Sequence, residues 1–197
     1  MQTQRTKKRV LLICSVFLMI MFTFYPSLVK SVHAESLASK NEKAHTLYRK
    51  KARSLNGRYK YIDLTNDGIH EGLIEYHVPN AGSTRRLLIY TYRNGGISQL
   101  LNFNEYGFYK IAAFKQVKAF VLAGAGHGND WIVNFRLVNG KFAKVSEKGR
   151  HQTVNGYTSW IYYGSGNTTI SKAKYDSLTS TVRKGKKADS YLANWAS

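Results

Sequence analysis

The chain is 197 residues long and carries 30 Lys and Arg against 11 Asp and Glu, a formal net charge of +19 at pH 7. A charge excess of this size predicts electrostatic attraction to polyanions. The single cysteine excludes an intrachain disulfide, and the histidines show no spacing typical of a zinc site. No helix-turn-helix, zinc-finger or RNA-binding signature indicates a specific nucleic acid.

The first 34 residues are predicted to be a secretory signal peptide. Four basic residues between Arg5 and Arg9 precede a predominantly apolar run from Val10 to Phe24, which contains no charged residue. Val32-His33-Ala34 then places small residues at positions −3 and −1 before Glu35. A basic segment, an apolar segment and a small-residue cleavage site are the three parts of a signal peptide. We therefore expect cleavage between Ala34 and Glu35.

An uncleaved membrane anchor is the alternative. Residues 10–29 reach the roughly 20 residues that cross a bilayer, although Pro26 and its polar neighbours weaken the second half. Cleavage would remove Cys14, five of the 30 basic residues and none of the acids, leaving a net charge near +14. We expect a secreted domain without disulfides, a pattern that suits a Gram-positive bacterium.

Residues 35–57 are predicted to form a helix. Apolar side chains recur there at spacings of three and four, and basic residues occupy the last turn. Gly57 stands where helices commonly end. The alternative is a solvated, frayed basic leader. The apolar positions are Leu37, Ala44, Leu47, Tyr48, Ala52 and Leu55.

Residues 58–169 are predicted to form an antiparallel β-meander of about seven to nine strands, because short β-branched and aromatic runs alternate with Gly and Asn. Two Asn-Gly pairs between apolar runs mark hairpins, since both central turn positions need a positive φ. The hairpins are Leu87–Arg93 with Ile97–Phe103 around Asn94-Gly95, and Ile132–Val138 with Lys141–Val145 around Asn139-Gly140.

The two hairpins align at an offset of 45 residues, a period typical of a propeller blade. The chain has room for about three such units, whereas a propeller needs at least four. We therefore expect an open meander of similar hairpins, which a duplicated unit would explain. The matched pairs are Tyr90 and Phe135, Tyr92 and Leu137, Ile97 and Phe142, and Leu100 and Val145.

Residues 170–197 are predicted to be a helix followed by a tail. Ser171 suits the N-cap, and Ala173, Leu178 and Val182 lie on one predicted face. The expected fold class is α+β: one domain over residues 35–197, mostly antiparallel sheet, with an N-terminal and a C-terminal helix. The tail is expected to pack on the sheet through Tyr191, Leu192 and Trp195.

The sharpest motif is Asp63-Leu64-Thr65-Asn66-Asp67-Gly68-Ile69-His70-Glu71. Oxygen ligands at alternate positions around a glycine turn match what calcium requires. The motif has three carboxylates, so a dissociation constant of about 0.1–1 mM is the best that it would give. Ile74 at position 12 excludes an EF-hand. The alternative is a metal-free turn whose side chains bond their own backbone. The candidate ligands are Asp63, Thr65, Asp67, Ile69 and Glu71.

The pattern Asp-x-Thr-x-Asp-Gly-x-x-Glu between strands resembles the calcium-type loop of FG-GAP and integrin-like repeats. It is also similar to loops in small secreted proteins of lactobacilli and related Gram-positive bacteria, many of them without assigned function. The resemblance implies a secreted, surface-associated protein and nominates the same five ligands. Thr65 departs from the pattern, which usually has an acid or amide there, and the chain has one such loop.

Residues 124–131 carry three alternating glycines, which allow close backbone approach or a nest for an anion. A secreted hydrolase is the alternative function, with His127 as base and Asp130 orienting it. No Gly-x-Ser-x-Gly elbow and no cysteine nucleophile occur in the exported part, which favours a non-catalytic protein. A plain turn is the simplest interpretation of the segment.

Charge indicates the class of partner. Basic residues cluster at 49–53, at Arg85-Arg86 and at 183–187, and outside a cell the polyanions include teichoic acids, anionic lipids and acidic polysaccharides. We expect a secreted, non-catalytic protein held at the cell surface by anionic wall polymers such as teichoic acid, with exposed aromatics stacking on sugars. The candidate polyanion-binding residues are Arg85, Arg86, Arg183, Lys184, Lys186 and Lys187.

Overall fold

The computed structural model describes residues 35–81, 84–105, 110–126, 128–183, 188 and 190–193. The predicted signal peptide at 1–34 lies outside these residues. The helices and strands are α1 (Leu37–Ser54), β1 (Arg58–Ile62), β2 (Glu71–His77), β3 (Arg85–Arg93), β4 (Gly96–Glu105), β5 (Lys110–Phe114), β6 (Ala119–Gly126), β7 (Asn129–Val138), β8 (Lys141–Thr153), β9 (Gly156–Tyr157), β10 (Ile161–Gly164), α2 (Lys172–Arg183) and β11 (Ser190–Ala193), with a 3-10 turn at Lys115–Val117.

The strands form two antiparallel sheets. The first has the order β1-β2-β3-β4, and the second has the order β10-β8-β7-β6-β5-β11, with β9 paired to β8. Consecutive strands are neighbours from β1 to β4 and from β5 to β9, whereas β10 returns to pair with β8 and β11 pairs with β5. The predicted α+β class, mostly antiparallel with an N-terminal and a C-terminal helix, is confirmed.

A helix packs on the outer side of each sheet. Leu73 and Phe120 belong to the core between the two sheets, whereas Ile74, the neighbour of Leu73, faces α1. On the far side, Val121 of β6 packs with Val182 of α2. Neighbouring residues of a strand point to opposite faces, so the four layers explain why these strands read as continuous apolar runs.

Both predicted Asn-Gly hairpins are confirmed. Asn94 and Gly95 have φ values of 51° and 78°, and Asn139 and Gly140 have values of 49° and 76°. Two positive φ angles in a two-residue loop are the conformation that matches the twist of the flanking strands. The turn chemistry therefore sets the register in both sheets.

The 45-residue repeat extends to an irregularity in the strand pairing. The register shifts after Ile89 in the first hairpin and after Asn134 in the second, 45 residues later. The extra residue opposite each shift is Leu100 in β4 and Val145 in β8, one of the pairs that the sequence alignment matched. The two hairpins therefore carry the same β-bulge at equivalent positions.

The first helix ends in a Schellman motif. The N–H of Gly57 donates to the carbonyl of Ala52 at 2.9 Å, and the N–H of Asn56 donates to Arg53 at 3.1 Å. The left-handed residue is Asn56, with φ of 49°, and not the predicted Gly57. Glycine is needed at 57 for another reason: a Cβ there would lie 2.7 Å from the carbonyl oxygen of Glu75.

The second helix begins after Ser171, as predicted, and the Ser171 hydroxyl accepts the N–H of Lys174 at 3.2 Å. Its predicted buried face is wrong at two of three positions, because Ala173 is exposed and Leu178 is only half-buried. The tail adds strand β11 to the edge of β5, and Trp195 lies outside the described residues. The buried face consists of Tyr175, Thr179 and Val182.

Candidate functional site

The loop between β1 and β2 is built around the side chain of Glu71. Glu71 is fully buried, and its Oε2 accepts the N–H groups of Leu64 at 2.6 Å and Thr65 at 3.2 Å. Its Oε1 accepts the hydroxyl of Thr65 at 3.1 Å. Burial raises the pKa of Glu71 to about 7, although the hydrogen bonds from Leu64 and Thr65 oppose the rise. Glu71 therefore closes the loop from inside the protein.

The two aspartates of the motif bond the loop's own backbone. Asp63 Oδ1 accepts the N–H of Asn66 at 2.7 Å, and Asp67 Oδ1 accepts the N–H of Ile69 at 2.9 Å. Gly68 has φ of 80°, which completes the tight turn. These are the bonds that the metal-free alternative requires.

The five predicted ligands fit this turn better than they fit a calcium site. Across the described residues, no three Asp, Glu, His or Cys side chains are grouped to hold a metal ion, so Asp63, Asp67 and Glu71 do not form such a set. Thr65 is 3% exposed and gives its hydroxyl to Glu71. For Glu71 to bind calcium, its carboxylate would have to break its hydrogen bonds to the backbone N–H groups. Calcium binding at this loop stays a prediction.

Helix α1 holds the same loop from outside. Asn41 donates to the carbonyl of Gly68 at 2.9 Å and accepts the N–H of His70 at 2.8 Å. Tyr48 donates its hydroxyl to the carbonyl of His70 at 2.9 Å. A Cβ at Gly72 would lie 2.3 Å from the Tyr48 ring, so glycine permits this contact. The loop conformation thus depends on residues more than 20 positions earlier in the chain.

His45, Tyr61 and His70 stack beside the loop. The ring centroids of His45 and Tyr61 are 3.7 Å apart, and Nε2 of His45 lies 3.0 Å from Nδ1 of His70. Burial, followed by the charge of His70, lowers the pKa of His45. The sequence indicated no partner for His45, because the pairing exists only once α1 is docked on the loop.

The glycine-rich segment forms the β6–β7 hairpin. Gly126 pairs with Asn129, so residues 127 and 128 connect the strands. His127 lies outside the described residues. Asp130, its predicted partner, forms an ion pair with Arg150. Oδ2 of Asp130 lies 2.7 Å from Nη2 of Arg150 and accepts the Nε–H of Arg150 at 2.8 Å. The carboxylate is thus ion-paired within the sheet, and the hydrolase role of the pair stays a prediction.

The predicted basic pair Arg85-Arg86 does not form one patch, because neighbouring residues of β3 point to opposite faces. Arg85 pairs with Glu75 at 2.5 Å, and Arg58 pairs with the other oxygen of Glu75 at 3.0 Å. Glu75 is 2% exposed, so part of this positive charge is balanced inside the protein. Arg86 donates to Asn104 at 2.7 Å.

Arg183 is the last residue of α2, and its Nε is buried without a hydrogen-bond partner among the described residues. The other predicted polyanion-binding residues of this cluster, Lys184, Lys186 and Lys187, lie outside the part of the chain that the structure describes. Their contribution to polyanion binding stays a prediction.

A cation–aromatic surface lies elsewhere, on β8, β9 and the residue before β10. Nζ of Lys148 lies 4.4 Å from the ring centroid of Trp160, and the guanidinium of Arg150 lies 4.2 Å from the Tyr157 ring and 4.9 Å from Trp160. We call Lys148, Arg150, Tyr157 and Trp160 the β8–β10 surface. The sequence signal for this surface is Lys-x-Arg followed by two aromatic residues, because alternate residues of a strand lie on the same face.

No protein-family model, curated protein or solved structure matches the chain. Within the described residues, no helix is long and apolar enough to cross a membrane.

Proposed function

We propose that this chain is a secreted, non-catalytic protein that associates with the cell surface by binding anionic envelope polymers. The observation that supports it best is the charge imbalance of the secreted chain, which has 25 basic against 11 acidic residues once residues 1–34 are removed. The few acids are largely engaged: Glu71 and Glu75 are buried, and Asp130 and Asp176 are ion-paired. Little negative charge is left to counter the basic surface, so its field attracts polyanions.

Export is supported by the composition of residues 1–34. In Gram-positive cell walls, the anionic polymer would be teichoic acid, which carries a phosphate group in each repeating unit. N-terminal sequencing of the protein recovered from a Gram-positive culture supernatant or wall fraction tests export. We expect the mature chain to begin at Glu35. A full-length chain that stays in the membrane fraction would support the anchor instead.

Co-sedimentation with purified cell walls tests the binding function. Residues from Ser36 onward form one compact unit, so the protein without residues 1–34 is a suitable reagent. We expect binding that requires teichoic acid and that falls steeply as salt rises, because screening weakens attraction between exposed charges. Walls stripped of teichoic acid are the control. Failure to bind intact walls at low salt would contradict the proposal.

A further inference from the structure

The outer face of the second sheet is only partly covered by α2. Where the helix packs, Asn134 of β7 donates to the hydroxyl of Tyr175 at 3.2 Å, and Ser146 of β8 lies 3.4 Å from the Thr179 hydroxyl. All four residues are buried. Further along β8, the same face continues beyond these contacts.

Strand register places cations and aromatics on this continuation. Lys148 and Arg150 follow Ser146 at alternate positions of β8 and so share its face. Tyr162 of β10 is directly opposite Lys148, and Trp160, two residues earlier, falls beside Arg150. Both cations therefore lie within 5 Å of one indole ring, at 4.4 and 4.9 Å from its centroid.

Positive charge is in excess at this surface. The nearby acids are already paired, Asp130 with Arg150 and Asp176 with Lys172. Lys148 has no acidic hydrogen-bond or ion-pair partner among the described residues, and it contacts aromatic rings instead. Burial lowers the pKa of Lys148, and neighbouring cations add to the effect, although the charge of Asp176 partly opposes it. An anion placed beside Lys148 would relieve that repulsion.

Exposed apolar side chains gather at the same edge. Within the described residues, three of the six large apolar side chains that are exposed lie between positions 154 and 161. Val154 is fully exposed and Tyr157 is 49% exposed, whereas Ile161, which pairs with Gly149, points to the opposite face of the sheet. A group of exposed apolar side chains rimmed by polar ones marks an interaction site.

We propose that the β8–β10 surface binds an anionic glycan, with a sugar ring on Tyr157 and its acidic group between Lys148 and Arg150. Trp160 holds the two cations in place through cation–π contacts. Tyr157 offers an aromatic face to the apolar face of a sugar, and the cations supply charge-assisted hydrogen bonds to a carboxylate or phosphate. The inference rests on the proposed function and names its site and ligand class.

Two kinds of polymer present a sugar ring beside an anionic group: a carboxylated polysaccharide and a sugar-bearing phosphodiester polymer. Three probes separate the sources in titrations of the protein without residues 1–34: oligogalacturonate, glycosylated poly(glycerol phosphate) and inorganic polyphosphate, which has no sugar. Tryptophan fluorescence or calorimetry gives the dissociation constant.

Lys148→Gln should weaken binding of at least one sugar-bearing probe by about fivefold or more, as expected for a central contact residue. The matched control is Lys50→Gln, which removes the same charge from an exposed position on α1 and should change binding less than about twofold. Tyr157→Ala should weaken binding of that probe but not of polyphosphate. Tyr61→Ala, at another exposed tyrosine, should leave both unchanged. Thermal melting verifies that each variant is folded, and Lys148→Arg should retain binding.

Equal losses in the Lys148 and Lys50 variants would show diffuse attraction and overturn the site, while wall binding by the protein would still stand. If the protein binds polyphosphate but neither sugar-bearing probe, the proposal that the ligand is a glycan is wrong. If the unmodified protein binds neither walls nor any probe at low salt, the site and the proposed function both fail.

Discussion

Glu71 holds Thr65 through both of its carboxylate oxygens: Oε2 accepts the backbone N–H at 3.2 Å, and Oε1 accepts the hydroxyl at 3.1 Å. Both residues are buried. The oxygen-rich loop is thereby organised by a buried carboxyl group and by its own aspartate turns. In a calcium loop, the ion would perform this organising role, drawing the side-chain oxygens outward to itself.

The metal-free turn, which is the alternative to calcium binding, predicts that calcium leaves thermal stability unchanged. A site with a dissociation constant of about 1 mM would stabilise the protein by about 1.4 kcal/mol at 10 mM calcium. For a domain of this size, that would raise Tm by about 3–5 °C. Melting curves in calcium, in magnesium and in chelator check the expectation. A rise specific to calcium would contradict the metal-free turn and support a calcium site.

Glu71 should make the protein less stable as pH rises from about 4.5 to about 7. Burial raises its pKa from 4.5 to about 7, so across this window the folded state binds more protons than the unfolded state. The free energy of unfolding then falls with rising pH, by a few kcal/mol at most over the window. Above the folded-state pKa, the contribution of Glu71 becomes flat.

The measurement is urea unfolding from pH 4.5 to 8, in the unmodified protein and in Glu71→Gln. The neutral amide cannot titrate, so the difference between the two curves isolates Glu71. His45, whose lowered pKa costs stability as pH falls below about 6.5, is present in both proteins and cancels. A difference that does not change with pH would rule out a raised pKa.

Removing the Glu71 side chain should cost more than neutralising it. Glu71→Ala leaves the N–H groups of Leu64 and Thr65 without their acceptor, and we expect a loss of about 2–4 kcal/mol in the free energy of unfolding. Glu71→Gln keeps an acceptor oxygen at the same place and should lose less. Chemical unfolding at pH 5, where the native Glu71 is largely neutral, gives both values. Equal losses would indicate that the loop rearranges to expose its amides to water.

Gly72 should not tolerate a methyl group. A Cβ there would lie 2.3 Å from the Tyr48 ring, and overpacking of this kind costs about 1–3 kcal/mol. Gly166→Ala is the matched control, because its Cβ would meet nothing within 4 Å. Thermal melting of the two variants gives the comparison. Equal Tm values would mean that Tyr48 can move aside without loss.

Local chemistry made the two hairpins predictable. Asn-Gly needs no distant partner to adopt two positive φ angles, so both turns and their register follow from neighbouring residues. The length of β8 did not follow in the same way. Its predicted end was Val145, whereas the strand continues to Thr153 because β10 and β9 pair with its second half.

The candidate sites were predictable only in part. Asp63 and Asp67 bond their own backbone within three residues, which is a local property. The inward direction of Glu71 depends on the pairing of β1 and β2, which puts it on the same face of β2 as Leu73, towards the second sheet. The separation of Arg85 from Arg86 likewise results from the strand that carries them.

The sequence by itself determined the α+β class, both helix positions and both hairpin turns, because periodicity, capping and φ preference act over a few residues. Tertiary structure alone decided which carboxylates are buried, that His45 meets His70, and that Lys148 and Arg150 lie over Trp160. It also placed Asn134 against Tyr175, 41 positions apart. Such contacts depend on which faces pack together, and packing is a property of the whole chain rather than of any segment.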